Sequence, residues 1–491
     1  MKKPIFRLHG DPMDNVNSDV IARFSKAMGP KAVTTDQDLI APWLTDWRGL
    51  YHGKAAAILS PGSVEDVAAC MRIAAELRIA LVPQGGNSSM VGGATPPEDG
   101  SALILSLRRM NQIRSLDGAA GVVVAEAGVI LQTLHDAASA QHMRFPLTLG
   151  ARGSATVGGL CSTNAGGTQV LRFGTMRKLV LGLEAVLPDG SIYDGLAALK
   201  KDTRGYDLTH LLISAEGTLG IITAASLRIV PAVADRAAAW FGVGSPVAAL
   251  ALLRFLEARS GEAVESFELM PSDSLDLVYR HVPGTRSPLT QAAPWQVLVE
   301  YVAPEEALRA LTSHATAAFE AGLVSDATLA SSEAQIEDFW QIRDSISAAE
   351  RAQGPAMQHD ISVSVDVMPR FMIDAAHQVE MAFPGVSASG YGHLGDGNIH
   401  FHARAPKGAD GPAWRAGEGK AVSALVYDLV TAAGGSISAE HGIGQMKRDD
   451  LARLSSPARL CVLRAVKQGL DPLGIMNPGK LVPLASLGQP G

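Results

Sequence analysis

Two short segments of this 491-residue chain gather side chains that could carry out a reaction. His393-Leu-Gly-Asp-Gly-Asn-Ile-His400 sets two imidazoles seven residues apart across a glycine-rich turn, and Ser438-Ala-Glu440-His441-Gly-Ile-Gly444 adds a carboxylate and a third imidazole. Two histidines and one carboxylate make a three-ligand set with open coordination positions, suited to Zn²⁺ first and to Mn²⁺ or Fe²⁺ as alternatives. A lone histidine in such a segment is more often structural, but here several of the 13 histidines concentrate in two glycine-rich loops, which favours a site. A divalent metal can bring the pKa of bound water from 15.7 to about 7, and a chelated hydroxyl shifts the same way. A nearby imidazole could then accept the proton at neutral pH.

Glycine supplies the second signal. The chain holds 50 glycines, although the residue is costly inside helices and strands. Gly85, Gly86, Gly92 and Gly93 fall within nine residues, and six more lie between 150 and 167. Such loops let the backbone approach a ligand and turn its N–H groups toward an anion, for which a pyrophosphate is the natural guest. One loop alone is equally well a set of tight turns; two in one domain favour a ligand. Neither has the G-x-G-x-x-G spacing of a Rossmann site, so an ordinary NAD site is not expected. The tail segment Gly474-Ile-Met-Asn-Pro-Gly-Lys480 mimics a P-loop by chance, because Leu481 replaces the Mg²⁺-binding Ser/Thr and no strand precedes it.

The elements that must position these groups follow from patterning. Ser63-Val-Glu-Asp66 reads as a capping box opening an amphipathic helix to about residue 78. Strands are predicted at 80–83, 102–107 and 121–125, a helix at 129–141, and a hairpin at 181–187 before the turn Pro188-Asp189-Gly190. A strand over 220–230 ends at Pro231, and Ala-rich sequence after it marks a boundary near 232. The second region shows strands at 263–270 and 295–302 and helices at 248–259, 304–322 and 333–351, which suggests an antiparallel sheet with helices on one face. From about 386 come the histidine loops and a helix at 419–433. Lys+Arg 42 against Asp+Glu 49 leaves a net charge of −7 with 47% hydrophobic residues, which argues against a disordered chain and a nucleic-acid partner. There is no apolar run of membrane-spanning length and no signal h-region after Met1-Lys2-Lys3-Pro4, so a soluble cytoplasmic protein, not an integral membrane one, is expected. Cys70, Cys161 and Cys461 are too scattered for a disulfide framework and read as reduced thiols.

Pro83-Gln-Gly-Gly-Asn-Ser-Ser-Met-Val-Gly-Gly93, Leu149-Gly-Ala-Arg-Gly-Ser-Ala-Thr-Val-Gly-Gly159, Ser162-Thr-Asn-Ala-Gly-Gly167 and Ser214-Ala-Glu-Gly-Thr-Leu-Gly-Ile-Ile222 resemble the FAD-binding half of vanillyl-alcohol-oxidase-type flavoproteins. Within that group the chain is most similar to D-2-hydroxyglutarate and D-lactate dehydrogenases, from about residue 40 to 483. The resemblance implies an α+β fold: a two-lobed FAD-binding domain, a second antiparallel-sheet substrate or cap domain, and a C-terminal segment returning to the flavin. The corresponding division is an N-terminal arm at 1–49, an FAD domain at 50–232, a cap at 233–435 and a C-terminal segment at 436–491. Gly85, Gly86, Asn87, Ser88, Gly153, Ser154 and Gly158 would hold the pyrophosphate, with Pro83 and Gly92 also among the cofactor-binding residues. Thr163, Asn164, Gly167, Glu216, Ile222 and Asn477 would surround the rest. Members that bind flavin covalently place a His in the first loop, where this chain has Asn87 and Ser88, so noncovalent FAD is implied. The resemblance also assigns His393, His400 and Glu440 as ligands to a divalent metal beside the flavin, which leaves His441 as the general base.

Trp340-Gln-Ile-Arg343 resembles the W-x-x-R whose arginine binds the substrate carboxylate in that family, with Ser347 one turn on along the predicted helix. Two departures stand out. Gln358 replaces a usual Lys, and His402 replaces a usual Asn. Together they predict a pocket shifted toward less acidic or bulkier D-2-hydroxy acids, such as D-lactate. Expected partners are a small D-2-hydroxy acid and an electron carrier, electron-transfer flavoprotein or a membrane quinone or cytochrome, with a homodimer as one candidate assembly. A metallohydrolase and a non-redox flavoprotein such as an ether-lipid synthase are the competing classes.

Overall fold

A computed structural model describes residues 16–199 and 201–483, so the first fifteen residues of the expected N-terminal arm and the end of the C-terminal segment lie outside it. Ser63 caps the helix Val64–Leu77 as the capping pattern predicts, its hydroxyl accepting the amide of Asp66 at 3.1 Å. The helix buries Val67, Ala68, Met71 and Ala74 against a four-stranded sheet ordered Val33–Thr34, Ile58–Leu59, Ala102–Ser106, Ala80–Gln84, whose last three strands run parallel. A second, antiparallel sheet is ordered Ile113–Asp117, Val122–Glu126, Ile221–Arg228, Val180–Val186, Ile192–Gly195. These are the two lobes around the glycine loops. The chain end returns to them: after helix Pro457–Leu470, Ile475 O accepts Leu81 N at 2.8 Å and Asn477 N donates to Leu81 O at 2.8 Å.

The third sheet has seven antiparallel strands ordered Asp326–Leu329, Asp235–Val243, Trp295–Ala303, Val264–Pro271, Ser387–His393, Asn398–Arg404, Ala356–Ser362. Helices cover both of its faces, not one as expected. Ala237, Ala239 and Phe241 pack with helices Pro246–Ser260, Ala307–Glu320 and Met368–Ala382, while Ala238 and Trp240 face Ser272–His281 and Glu333–Asp344. A strand buried on both faces reads as an unbroken apolar run, which is why 235–243 resembled an Ala-rich linker. The helix expected over 333–351 is in fact two, Glu333–Asp344 and Ile346–Ala352, meeting at Ser345. Cys70 and Cys161 are buried and Cys461 is exposed, all as free thiols. Among the described residues no helix is long and apolar enough to cross a membrane.

Candidate active site

The histidine segment is a hairpin rather than a loop. Strand Asn398–Arg404 pairs with Ser387–His393 on one side and Ala356–Ser362 on the other, so Tyr391, His400 and Asp360 stand abreast, as do Ser389, His402 and Gln358. Ile399, Phe401 and Ala403 enter the core between sheet and helices, and alternation sends His400 and His402 to the opposite face. One ligand atom from each of His393, His400 and Glu440 lies within 4.8 Å of the others. The donor set fits a divalent metal of the zinc class, with room for further ligands.

Three buried carboxylates hold this cluster in place: Glu268 and Asp360, which the sequence reading assigned no role, and Glu216, which it expected beside the flavin. Glu268, on strand Val264–Pro271, accepts from His393 Nδ1 at 2.6 Å, which commits the ring's other nitrogen to the cluster. Burial would raise the Glu268 pKa, but Arg343 and His393 hold it down at about 2. Burial would lower that of His393, yet the Glu268 charge lifts it to about 9. Asp360 Oδ2 accepts the amides of Glu440 at 2.8 Å and His441 at 2.9 Å. Glu216 takes two further amides, those of Ile443 and Gly444, at 2.7 Å each. The 438–444 loop is thus clamped from the cap by Asp360 and from the flavin lobes by Glu216. Burial is the main effect on His441 and brings its pKa to about 4, although Asp360 acts the other way, so its imidazole is neutral at pH 7 and able to accept a proton.

A cavity of about 700 Å³ opens beside this loop, within the size range of cofactor sites. Pro83, Gly85, Gly86, Asn87, Ser88, Gly153, Ser154, Gly158, Thr163, Glu216 and Ile222 line it, and so do Glu440 and His441. Trp47, Thr156, Ser162 and Gly166 also line it and were not foreseen. Gly92, Asn164, Gly167 and Asn477 do not. Asn477 fastens two lining loops, donating to Gly93 O at 3.0 Å and to Glu216 O at 2.7 Å, while Asn164 Oδ1 accepts the amide of Arg177 at 2.9 Å. The cradle suits a long anionic cofactor such as FAD because Gly85, Gly86 and Gly158 bring its loops together where a side chain would clash. A Cβ at Gly86 would fall 1.8 Å from the carbonyl oxygen of Ser154. Gly86→Ala should therefore push the two loops apart and yield protein with less than a tenth of the native flavin-to-protein ratio, checked by absorbance; near-native flavin content would show that the loops do not form the cradle.

The predicted substrate residues lie nearby, with different partners from those expected. Arg343 Nε donates to Glu268 Oε2 at 2.8 Å and its Nη2 reaches His393 Nε2 at 3.2 Å, so its charge is already matched by a buried carboxylate. His402 Nδ1 pairs with Glu350, which also accepts from Ser274 Oγ at 2.6 Å, so His402 is anchored rather than free to act as an independent pocket charge. Ser347 Oγ accepts from Arg351 at 3.0 Å, and the Gln358 side-chain nitrogen is buried without a partner. Breaking a buried pair leaves an uncompensated charge, at a cost of roughly 3 to 5 kcal/mol. Arg343→Ala should lower the free energy of unfolding by up to about that amount, since Glu268 keeps His393 as a second partner, while Arg343→Ala with Glu268→Gln should recover most of it; equal stability of native and single variant in denaturant titration would refute the pairing.

Residues 55–195 match the FAD binding domain family, and residues 233–481 match the C-terminal domain of FAD linked oxidases. The chain belongs to the FAD-linked oxidase family. Within this family, a mitochondrial D-2-hydroxyglutarate dehydrogenase of Bos taurus is 36% identical over 485 residues, covering 98% of this chain and 86% of that protein. The D-2-hydroxyglutarate dehydrogenase of Xanthomonas citri pv. viticola is 34% identical over 440 residues, covering 89% and 91%. A solved alkyldihydroxyacetonephosphate synthase superposes with a TM-score of 0.72 at 17% identity, covering 95% of this chain and 85% of that one. At that identity the structure speaks for the shared fold only. The family shown is thus that of FAD-linked D-2-hydroxyglutarate dehydrogenases.

Proposed function

We propose that the protein is an FAD- and divalent-metal-dependent dehydrogenase that oxidises a D-2-hydroxy acid to the 2-oxo acid and passes electrons to an external carrier, electron-transfer flavoprotein or a quinone or cytochrome. Zinc is the first candidate for the metal, and the flavin is noncovalent. D-2-hydroxyglutarate is the leading substrate from the names of the relatives, with D-lactate as the alternative. One observation carries the reading: Glu440 and His441 line the glycine-loop cavity, and Glu440 also belongs to the three-ligand cluster, so flavin and metal would face one substrate.

When bound, a flavin takes up the hydride of a Cα–H bond and a divalent cation acidifies the neighbouring hydroxyl. His393, His400 and Glu440 would hold the cation, and the glycine loops the flavin. His441, neutral at pH 7, would accept the hydroxyl proton. Arg343, kept charged beside Glu268, would orient the carboxylate next to the reacting carbon. A metallohydrolase leaves the long cradle unused. A non-redox flavoprotein leaves the ligand cluster unused.

Anaerobic addition of D-2-hydroxy acids to the flavin-loaded protein tests the reading. The visible flavin band should bleach with at least one D-acid and not with its L-enantiomer. Persistence of the band with every acid in a panel of D-2-hydroxyglutarate, D-lactate, D-malate and D-2-hydroxybutyrate would contradict it.

A further inference from the structure

Lys447 is a buried cation outside both the cavity wall and the ligand cluster. It is 2% exposed and forms no salt bridge among the described residues. Lysine is almost never buried this far without a carboxylate partner, because an ammonium leaves water at a high cost that hydrogen bonds must offset. The Lys447 Nζ donates to two main-chain carbonyls, Ile437 O at 2.8 Å and Asp360 O at 3.2 Å. Burial brings its pKa down to about 8 while the Asp360 charge acts the other way, so the ammonium is still charged at pH 7.

Both carbonyls belong to the parts that hold the Glu440–His441 turn. Asp360 lies on strand Ala356–Ser362, and its carboxylate takes the amides of Glu440 and His441. Ile437 leads into the turn and follows Ser436, which donates to Ser362 O at 2.8 Å and accepts from Ser362 N at 3.0 Å. The far end of the segment is fastened to the flavin lobes, where the amides of Gln445 and Met446 donate to Val91 O at 3.2 and 3.3 Å. There the Lys447 amide donates to Ile443 O at 3.0 Å. The Lys447 backbone thus stands at the flavin-lobe end while its side chain reaches the cap end, which closes 437–447 into a loop. Gly442 and Gly444, at φ +81° and +53°, leave the backbone in between free to take other shapes, so bonds across the segment must fix it. A charged donor makes a hydrogen bond about twice as strong as a neutral one.

We propose that Lys447 is a positioning residue for the reaction: by tying Ile437 and Asp360 together it fixes where the Glu440–His441 turn stands between cap and flavin lobes, and so where the imidazole meets the substrate hydroxyl. The proposal rests on the dehydrogenase reading above for the reaction, and on the two carbonyl bonds for the geometry.

The test is made on the flavin-loaded protein with D-2-hydroxyglutarate or another D-acid that bleaches it. Lys447→Met keeps the bulk and removes the donors; it should lower kcat by about 100-fold with KM held within about threefold, because a misplacement near 1 Å costs that much while the substrate's own contacts remain. Lys447→Arg, which keeps the charge and its donors, should recover at least about a tenth of native kcat. Native kcat in Lys447→Met, or a loss that Lys447→Arg does not lessen, would overturn the proposal. If Tm and flavin content show that Lys447→Met does not fold, Lys447→Gln takes its place with the same expectations. Hydrogen exchange followed by mass spectrometry reads the turn itself: peptides covering 436–444 should exchange at least about tenfold faster in the variant, while those covering 150–167 should not change, as they would in a merely destabilised protein. If no hydroxy acid bleaches the native flavin, the dehydrogenase reading fails and the exchange result alone judges Lys447. If exchange over 436–444 is unchanged, the positioning role fails whatever the enzyme oxidises.

Discussion

Replacing His441 with alanine should lower kcat by roughly 10²- to 10⁴-fold, the range typical for loss of a positioned general base, with little change in flavin content. The selectivity of the effect follows from how the loop is held. Asp360 grips the backbone amides of Glu440 and His441 and Glu216 grips those of Ile443 and Gly444, so the loop keeps its shape without the imidazole. Glu440 therefore stays beside His393 and His400. Burial leaves the His441 pKa at about 4, so the free-enzyme rate should fall as pH drops through a value below the ordinary histidine pKa, when the base becomes protonated. That acid limb should be missing from the residual activity of His441→Ala. A variant with native kcat, or one whose pH profile is unchanged, would remove His441 from the proton transfer.

Removing the metal ligand should have a larger effect. His400→Ala should abolish turnover and metal content together while leaving the fold and the flavin largely intact. His400 sits on a strand paired on both sides, and the residues flanking it, Ile399 and Phe401, supply the core packing, so the truncation empties a site rather than a core. The flavin cradle is built by loops from a different part of the chain. Metal analysis and absorbance on the same sample check the prediction. Native metal content with lost activity would show that His400 acts otherwise.

How far these features could be seen in the sequence depends on how local they are. The glycine loops and the two histidine segments are short motifs, and the cavity and ligand cluster form from them. The supporting acids are not local: Glu268 lies 125 residues from His393, and Asp360 lies 81 residues from His441, joined only by strand register and loop return. No spacing rule points to them. Asn477 and Asn164 carried the look of ligand-binding residues because they sit in the right motifs, yet their side-chain amides bond to the protein's own backbone. The double-sided sheet was hidden for a different reason, because 235–243 lacks the alternation that marks a half-exposed strand. Gln358 and His402 were legible as departures, but their meaning was not, because Glu350, the partner of His402, lies 52 residues away on another element.

The account's central claim is that the glycine-loop cavity and the His393–His400–Glu440 cluster act on one substrate. The most direct measurement is anaerobic reduction of the bound flavin by D-2-hydroxyglutarate in protein stripped of metal by a chelator, before and after one equivalent of Zn²⁺ is returned. The account predicts an unbleached flavin band in the stripped protein and bleaching restored by the metal. Full bleaching in protein shown by metal analysis to be empty would contradict it.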